Sequence, residues 1–150
     1  MPTRLFPRQP PSLQLGRVQR VADGHTIEVV VDRRAVEVAF AGVDVPLDAD
    51  APGGCAATPA LDYLVGALEG RTVALEREPL TPDRDRRGRW IRYVWLEEAW
   101  RDDDVLVDVA LARAGLGRDV SQRLYYYHDR LAEAGSAARA AGAGLWGCAG

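Results

Sequence analysis

The sequence predicts a single α+β domain, and three observations carry that reading. Strand-like runs rich in β-branched residues fill much of the first hundred residues, three segments place apolar residues at helical spacing, and loops of Asp, Gly and Pro separate them. At 150 residues the chain is of single-domain size, enough to bury roughly 70% of its unfolded surface. Apolar residues make up 47% and charged residues 27%. No uninterrupted apolar run approaches the length of about eighteen that a membrane span needs.

Residues 1–15 contain Pro2, Pro7, Pro10 and Pro11 without helical or strand period, which predicts an extended arm ahead of a domain at 16–150. The arm has no long apolar segment, so no signal peptide is expected in this chain. Strands are expected at 16–22, 26–32 and 35–43. Asp23-Gly24 is a turn between the first two, and Asp32, Arg33 and Arg34 turn the second into the third as a hairpin. The third alternates Val36, Val38 and Phe40 against Glu37, Ala39 and Ala41, and it must stop by Pro46, which cannot donate to a ladder. A loop over 47–58 leads to a helix with Thr58 as cap and Pro59 in the first helical position, its apolar stripe Leu61, Leu64, Val65 and Leu68, ended by Gly70. A strand follows at 72–77, then a polar loop with Pro79 and Pro82, then a strand at 89–96.

An acidic turn around Glu97, Glu98 and Asp102 to Asp104 precedes a second helix at 105–114, where negative charge near the helix start is favourable and Gly115 gives the stop. A third helix is expected at 122–141, with Leu124, Tyr127, Leu131 and Ala134 or Ala138 on one stripe. Tyr125, Tyr126 and Tyr127 in succession cannot all face a core, so one or two should be exposed.

All 19 basic residues are arginine, which we read as codon bias of a GC-rich genome. The net charge of −3 weighs against tight general binding of nucleic acid, which rests on phosphate neutralisation. A local basic cluster remains in Arg84, Arg86, Arg87, Arg89 and Arg92.

Five segments in order, DGHT at Asp23 to Thr26, AFAGVDVP at Ala39 to Pro46, DRRGR at Asp85 to Arg89, VDVALARAGL at Val107 to Leu116 and GLW at Gly144 to Trp146, resemble the staphylococcal nuclease (thermonuclease) family over roughly residues 16–147. That resemblance implies a five-stranded barrel of the oligonucleotide/oligosaccharide-binding type with three helices. It also implies a site in which two aspartates hold Ca²⁺, a glutamate activates water and two arginines clamp the phosphate. Matched position by position, the first metal aspartate is His25 here and the second is retained as Asp44. The base is Leu47, the first arginine is Ala39, and the second is kept as Arg89.

These departures have physical weight. Ca²⁺ seeks about six to eight oxygen ligands, and an imidazole removes both a charge and the preferred donor. Leucine has nothing with which to accept a proton. The expectation is therefore a nuclease-like domain without Ca²⁺-dependent hydrolysis and without a resident cofactor, acting as a binding module for single-stranded nucleic acid, weakly, or for another protein. The resemblance places Arg87, Arg89, Tyr125 and Tyr126 along the nucleic-acid path. The alternative is an active metal-dependent phosphodiesterase with a rebuilt site, in which Asp48 or Asp50 replaces the base and a transition metal such as Zn²⁺ or Mn²⁺ sits at His25 and Asp44. The resemblance also implies a disulfide between Cys55 and Cys148, and with it an exported protein. Two unrelated thiols in a reducing compartment is the other reading.

Overall fold

The computed structural model describes residues 13–96 and 106–148. In chain order its elements are β1 (Gln14–Val21), β2 (Ile27–Val31), β3 (Arg34–Phe40), β4 (Val43–Asp44), α1 (Ala57–Leu68), β5 (Thr72–Arg77), β6 (Trp90–Trp95), α2 (Val107–Arg113), β7 (Arg118–Asp119) and α3 (His128–Ala141). Single 3₁₀ turns lie at Gly54–Ala56 and Gly144–Trp146.

Five strands close a barrel in the order β1-β2-β3-β6-β5. All neighbours are antiparallel except β3 and β6, which run parallel, and β1 pairs with β5 to remove the edges. Val18, Ile27, Val29, Val38, Val73 and Leu75 are fully or almost fully buried, and Leu64, Leu111, Leu131 and Trp95 join the same apolar cluster. The α+β barrel with three helices expected from the sequence is the fold observed. Most of the arm and the acidic turn lie outside the described residues, although β1 already begins at Gln14.

The boundaries differ where tertiary contacts intervene. The third strand stops at Phe40 because Gly42 takes the left-handed conformation (φ 76°), and the chain then makes the short β4, which pairs with β7. Helix α1 starts at Ala57, so Thr58 is not its cap, and no side chain caps it. Pro59 sits in the first turn, where its missing N–H costs nothing. The buried face of α1 is Ala60, Leu64 and Leu68, while Leu61 and Val65 of the expected stripe point outward, 36% and 38% exposed. Helix α3 begins at His128, not at 122, because carboxylates from other elements capture the backbone ahead of it. Glu78 accepts the Tyr126 N–H at 2.6 Å and Asp119 accepts the Ser121 N–H at 2.8 Å, which leaves residues 121–127 in turns and Leu124 71% exposed rather than in the core.

Two buried glutamates fasten this segment to the barrel. Tyr93 donates its hydroxyl to Glu78 at 2.7 Å, while Trp95 Nε1 and the Tyr127 hydroxyl donate to Glu76 at 2.9 and 2.8 Å. Burial, with the adjacent carboxylates, pushes both tyrosine hydroxyls far above their ordinary range, so they act as fixed donors. Cys55 and Cys148 form a disulfide, Cα atoms 6.2 Å apart, joining the first 3₁₀ turn to the chain just after the second across 93 positions of sequence. No helix among the described residues is long and apolar enough to cross a membrane.

Candidate functional site

The turn between β1 and β2 sits against the chain that follows β4. A side chain at Gly24 would bring its first carbon to 2.6 Å from Val45 Cγ1, so only glycine allows this approach. Asp23 serves the turn itself, its Oδ1 accepting the His25 N–H at 2.7 Å. The result places the His25 ring beside Asp44, Nε2 to Oδ1 3.2 Å, with Nε2 also in a short contact with the Val45 carbonyl. Both oxygens facing Nε2 are acceptors, so the arrangement favours the tautomer that carries its hydrogen there, which turns no lone pair toward a metal at this point.

From the other side, the loop before β6 delivers Arg89. Its guanidinium donates through Nε to Asp85 at 2.8 Å and through Nη1 to Thr26 Oγ1 at 2.7 Å, and its own N–H donates to Asp85 Oδ1 at 3.0 Å. Burial alone would raise the Asp85 carboxyl, but the N–H groups of Arg89 and Arg87 and the guanidinium outweigh it and hold it below the usual carboxylate range. Arg89 is thus half-buried, oriented and already facing a carboxylate.

These groups line one cavity of about 220 Å³, with His25, Ala39, Asp44, Asp85, Arg89 and Tyr125 on its walls and Phe40, Val43, Ile91 and Val120 between them. Of the expected site residues, His25, Ala39, Asp44, Arg89 and Tyr125 therefore converge. Leu47 is half exposed and stands against Gly24, outside that lining. Asp48 also stands outside the lining, its Oδ1 accepting the Asp50 N–H at 2.8 Å. Arg87 is exposed in the turn before Gly88, and Tyr126, 46% exposed, stacks edge-on against Tyr127. Sequence reasoning did not single out Asp85 or Thr26, the two partners that aim Arg89. The four-residue spacing of Asp85 and Arg89 around Gly88 was the available signal.

The donors present do not fit Ca²⁺. Asp44, a ring nitrogen turned to a carbonyl and a leucine stand where an oxygen-rich set is needed, Asp85 is already taken by Arg89, and the described residues contain no group of three or more His, Cys, Asp or Glu side chains able to hold a metal.

A closed five-stranded barrel with three helices defines a domain of the oligonucleotide/oligosaccharide-binding type. The family model described as staphylococcal nuclease homologue matches residues 37–148. The thermonuclease of Staphylococcus hyicus is 30% identical over 136 residues, covering 89% of this chain and 76% of that protein. Protein ParB of Escherichia coli is 31% identical over 121 residues, covering 79% of this chain and 61% of ParB. The chain belongs to the staphylococcal nuclease family.

Proposed function

We propose that this domain has lost Ca²⁺-dependent phosphodiester hydrolysis and serves as a binding module, with single-stranded nucleic acid as its first ligand class. The observation that carries the reading is a set of substitutions: where the family holds a metal aspartate, an arginine and a base, this chain has His25 and Ala39 on the pocket wall and Leu47 just outside it, and the His25 Nε2 is turned to a backbone carbonyl. Loss of one well-placed electrostatic group costs about 10²- to 10³-fold in rate. Losses within one site do not simply add, but here ligand, base and arginine go together. Arg89 and Tyr125, still facing the same cavity, support the nucleic-acid version: the first keeps its Nη2 as a charged donor for phosphate while Nε and Nη1 hold it in place, and the second offers a ring for a base. The net charge of −3 makes this binding weak and salt-sensitive.

Digestion of plasmid and RNA with Ca²⁺, Mn²⁺ and Zn²⁺ in parallel tests the first half. No metal-dependent cleavage is expected, and cleavage that disappears in Asp44→Ala would overturn the reading in favour of a rebuilt enzyme. Restoring His25→Asp, Ala39→Arg and Leu47→Glu together should return measurable Ca²⁺-dependent cleavage. Retention of single-stranded DNA at low salt, reduced in Arg89→Gln, tests the second half. No retention would redirect the module to a protein partner.

A further inference from the structure

A second cavity of about 200 Å³ lies on the far side of β7, lined by Arg118, Asp119, Gly135, Ser136, Arg139 and Trp146. The guanidinium carbons of Arg118 and Arg139 lie 5.9 and 4.5 Å from the centroid of the Trp146 ring, so one indole holds two cations. Among the described residues neither arginine has an ion-pair partner. Arg118 is steadied instead by donating Nη2 to the Pro52 carbonyl at 3.3 Å. Asp119, the one carboxylate of the lining, already accepts the Ser121 N–H and hydroxyl on Oδ1 at 2.8 and 2.5 Å. The Trp146 Nε1 is buried and meets no acceptor. Cation–π contact helps to hold the arginines, and two like charges lining one cavity repel, a cost that an anion bound there would offset. The cavity thus gathers two guanidinium groups and Ser136, all side chains able to donate, and it has the size of an oxyanion with some water.

We propose that this cavity binds a phosphate group, carried either by inorganic phosphate or by a nucleic-acid backbone. The site shares no lining residue with the pocket around Asp44 and Arg89, and the proposal does not rest on the reading given to that pocket. Guanidinium forks match the phosphate oxygens in pairs, and a lysine would not replace them.

The test is the ³¹P linewidth of inorganic phosphate titrated with the intact, disulfide-bonded chain in chloride buffer at constant ionic strength, beside Arg139→Gln, Arg139→Lys and the exposed control Arg71→Gln. The proposal expects broadening by the parent and by Arg71→Gln, weakening of about tenfold in Arg139→Gln, and an intermediate loss in Arg139→Lys. Far-ultraviolet circular dichroism checks each fold, and if Arg139→Gln does not fold, Arg139→Lys carries the comparison. No broadening by the parent, or equal broadening in all four chains, overturns the proposal. Fluorescence anisotropy with a short labelled oligothymidylate then separates the sources. Weaker binding in Arg139→Gln than in Arg71→Gln assigns the cavity to backbone phosphate, and unchanged oligonucleotide binding beside lost phosphate binding assigns it to the free anion.

Discussion

Asp108 is fully buried on α2, where its Oδ1 accepts the Val94 N–H at 2.8 Å and its Oδ2 meets no partner. Burial raises its carboxyl well above the ordinary range, against the opposing pull of backbone N–H groups. The folded chain therefore keeps this proton at pH values where the unfolded chain has released it. The group contributes fully below the unfolded value of about 3.9, and its contribution declines as pH rises from there toward the folded value. Asp108→Asn, neutral throughout, should be more stable than the parent at pH 7 by roughly 1–3 kcal/mol, with the gap closing toward pH 4. Urea midpoints at pH 4.5 and 7 measure it, and a less stable Asn variant at pH 7 would show that the ionised carboxylate is the native form. The arginine cluster makes a related point. Arg84, Arg86 and Arg87 are exposed, but Arg92 is buried against Asp83 at 2.8 Å and stacked on Trp90, and Arg89 is paired with Asp85. Five arginines close in sequence fall into three electrostatic situations, and only burial and pairing sort them.

Elements were legible wherever one face met one core. The β2–β3 hairpin is the clearest case, with Asp32 and Arg33 both at positive φ (49° and 69°) in a two-residue connection. Aspartate tolerates that region better than arginine. Arg33→Gly should therefore raise stability by about 0.5–1 kcal/mol once glycine's greater freedom in the unfolded chain is set against the relief of strain, read as a shift in urea midpoint at constant slope. The start of α3 was not legible, because the groups that end it early come from elsewhere in the chain. Glu78 also accepts the Leu80 N–H at 2.5 Å, so one carboxylate holds β6, the loop after β5 and the approach to α3. Glu78→Ala strands a buried tyrosine hydroxyl and two N–H groups and should cost on the order of 3–5 kcal/mol. Tyr93→Phe, which removes one donor and leaves the others, should cost less. Thermal unfolding of the pair reads the difference, and equal losses would reject Glu78 as the shared anchor.

At the scale of the whole molecule, the disulfide ties residues 93 apart, and constraint of so long a loop in the unfolded chain is worth roughly 4–5 kcal/mol in the chain-entropy model. Cys55→Ser with Cys148→Ser should lower the unfolding free energy by about that amount while leaving the barrel assembled, as denaturant unfolding with and without reductant would show; an unchanged midpoint would show that the bond adds no net stability. The barrel's closure brings together residues that no local rule connects: His25 from one turn, Asp44 from β4, Arg89 from the loop before β6 and Tyr125 from the segment before α3. By itself the sequence determined the α+β barrel, its three helices and the identity of the substituted positions, because alternation, turn residues and ordered motifs are local properties of the chain. What only tertiary structure decided was which side chains are free to act: that His25 turns its Nε2 to a carbonyl, that Arg89 faces Asp85, that Asp48 caps its own loop, and that Arg118 and Arg139 line one cavity beside Trp146. Each of these follows from long-range approach of backbone and charge, which pattern along a chain does not encode.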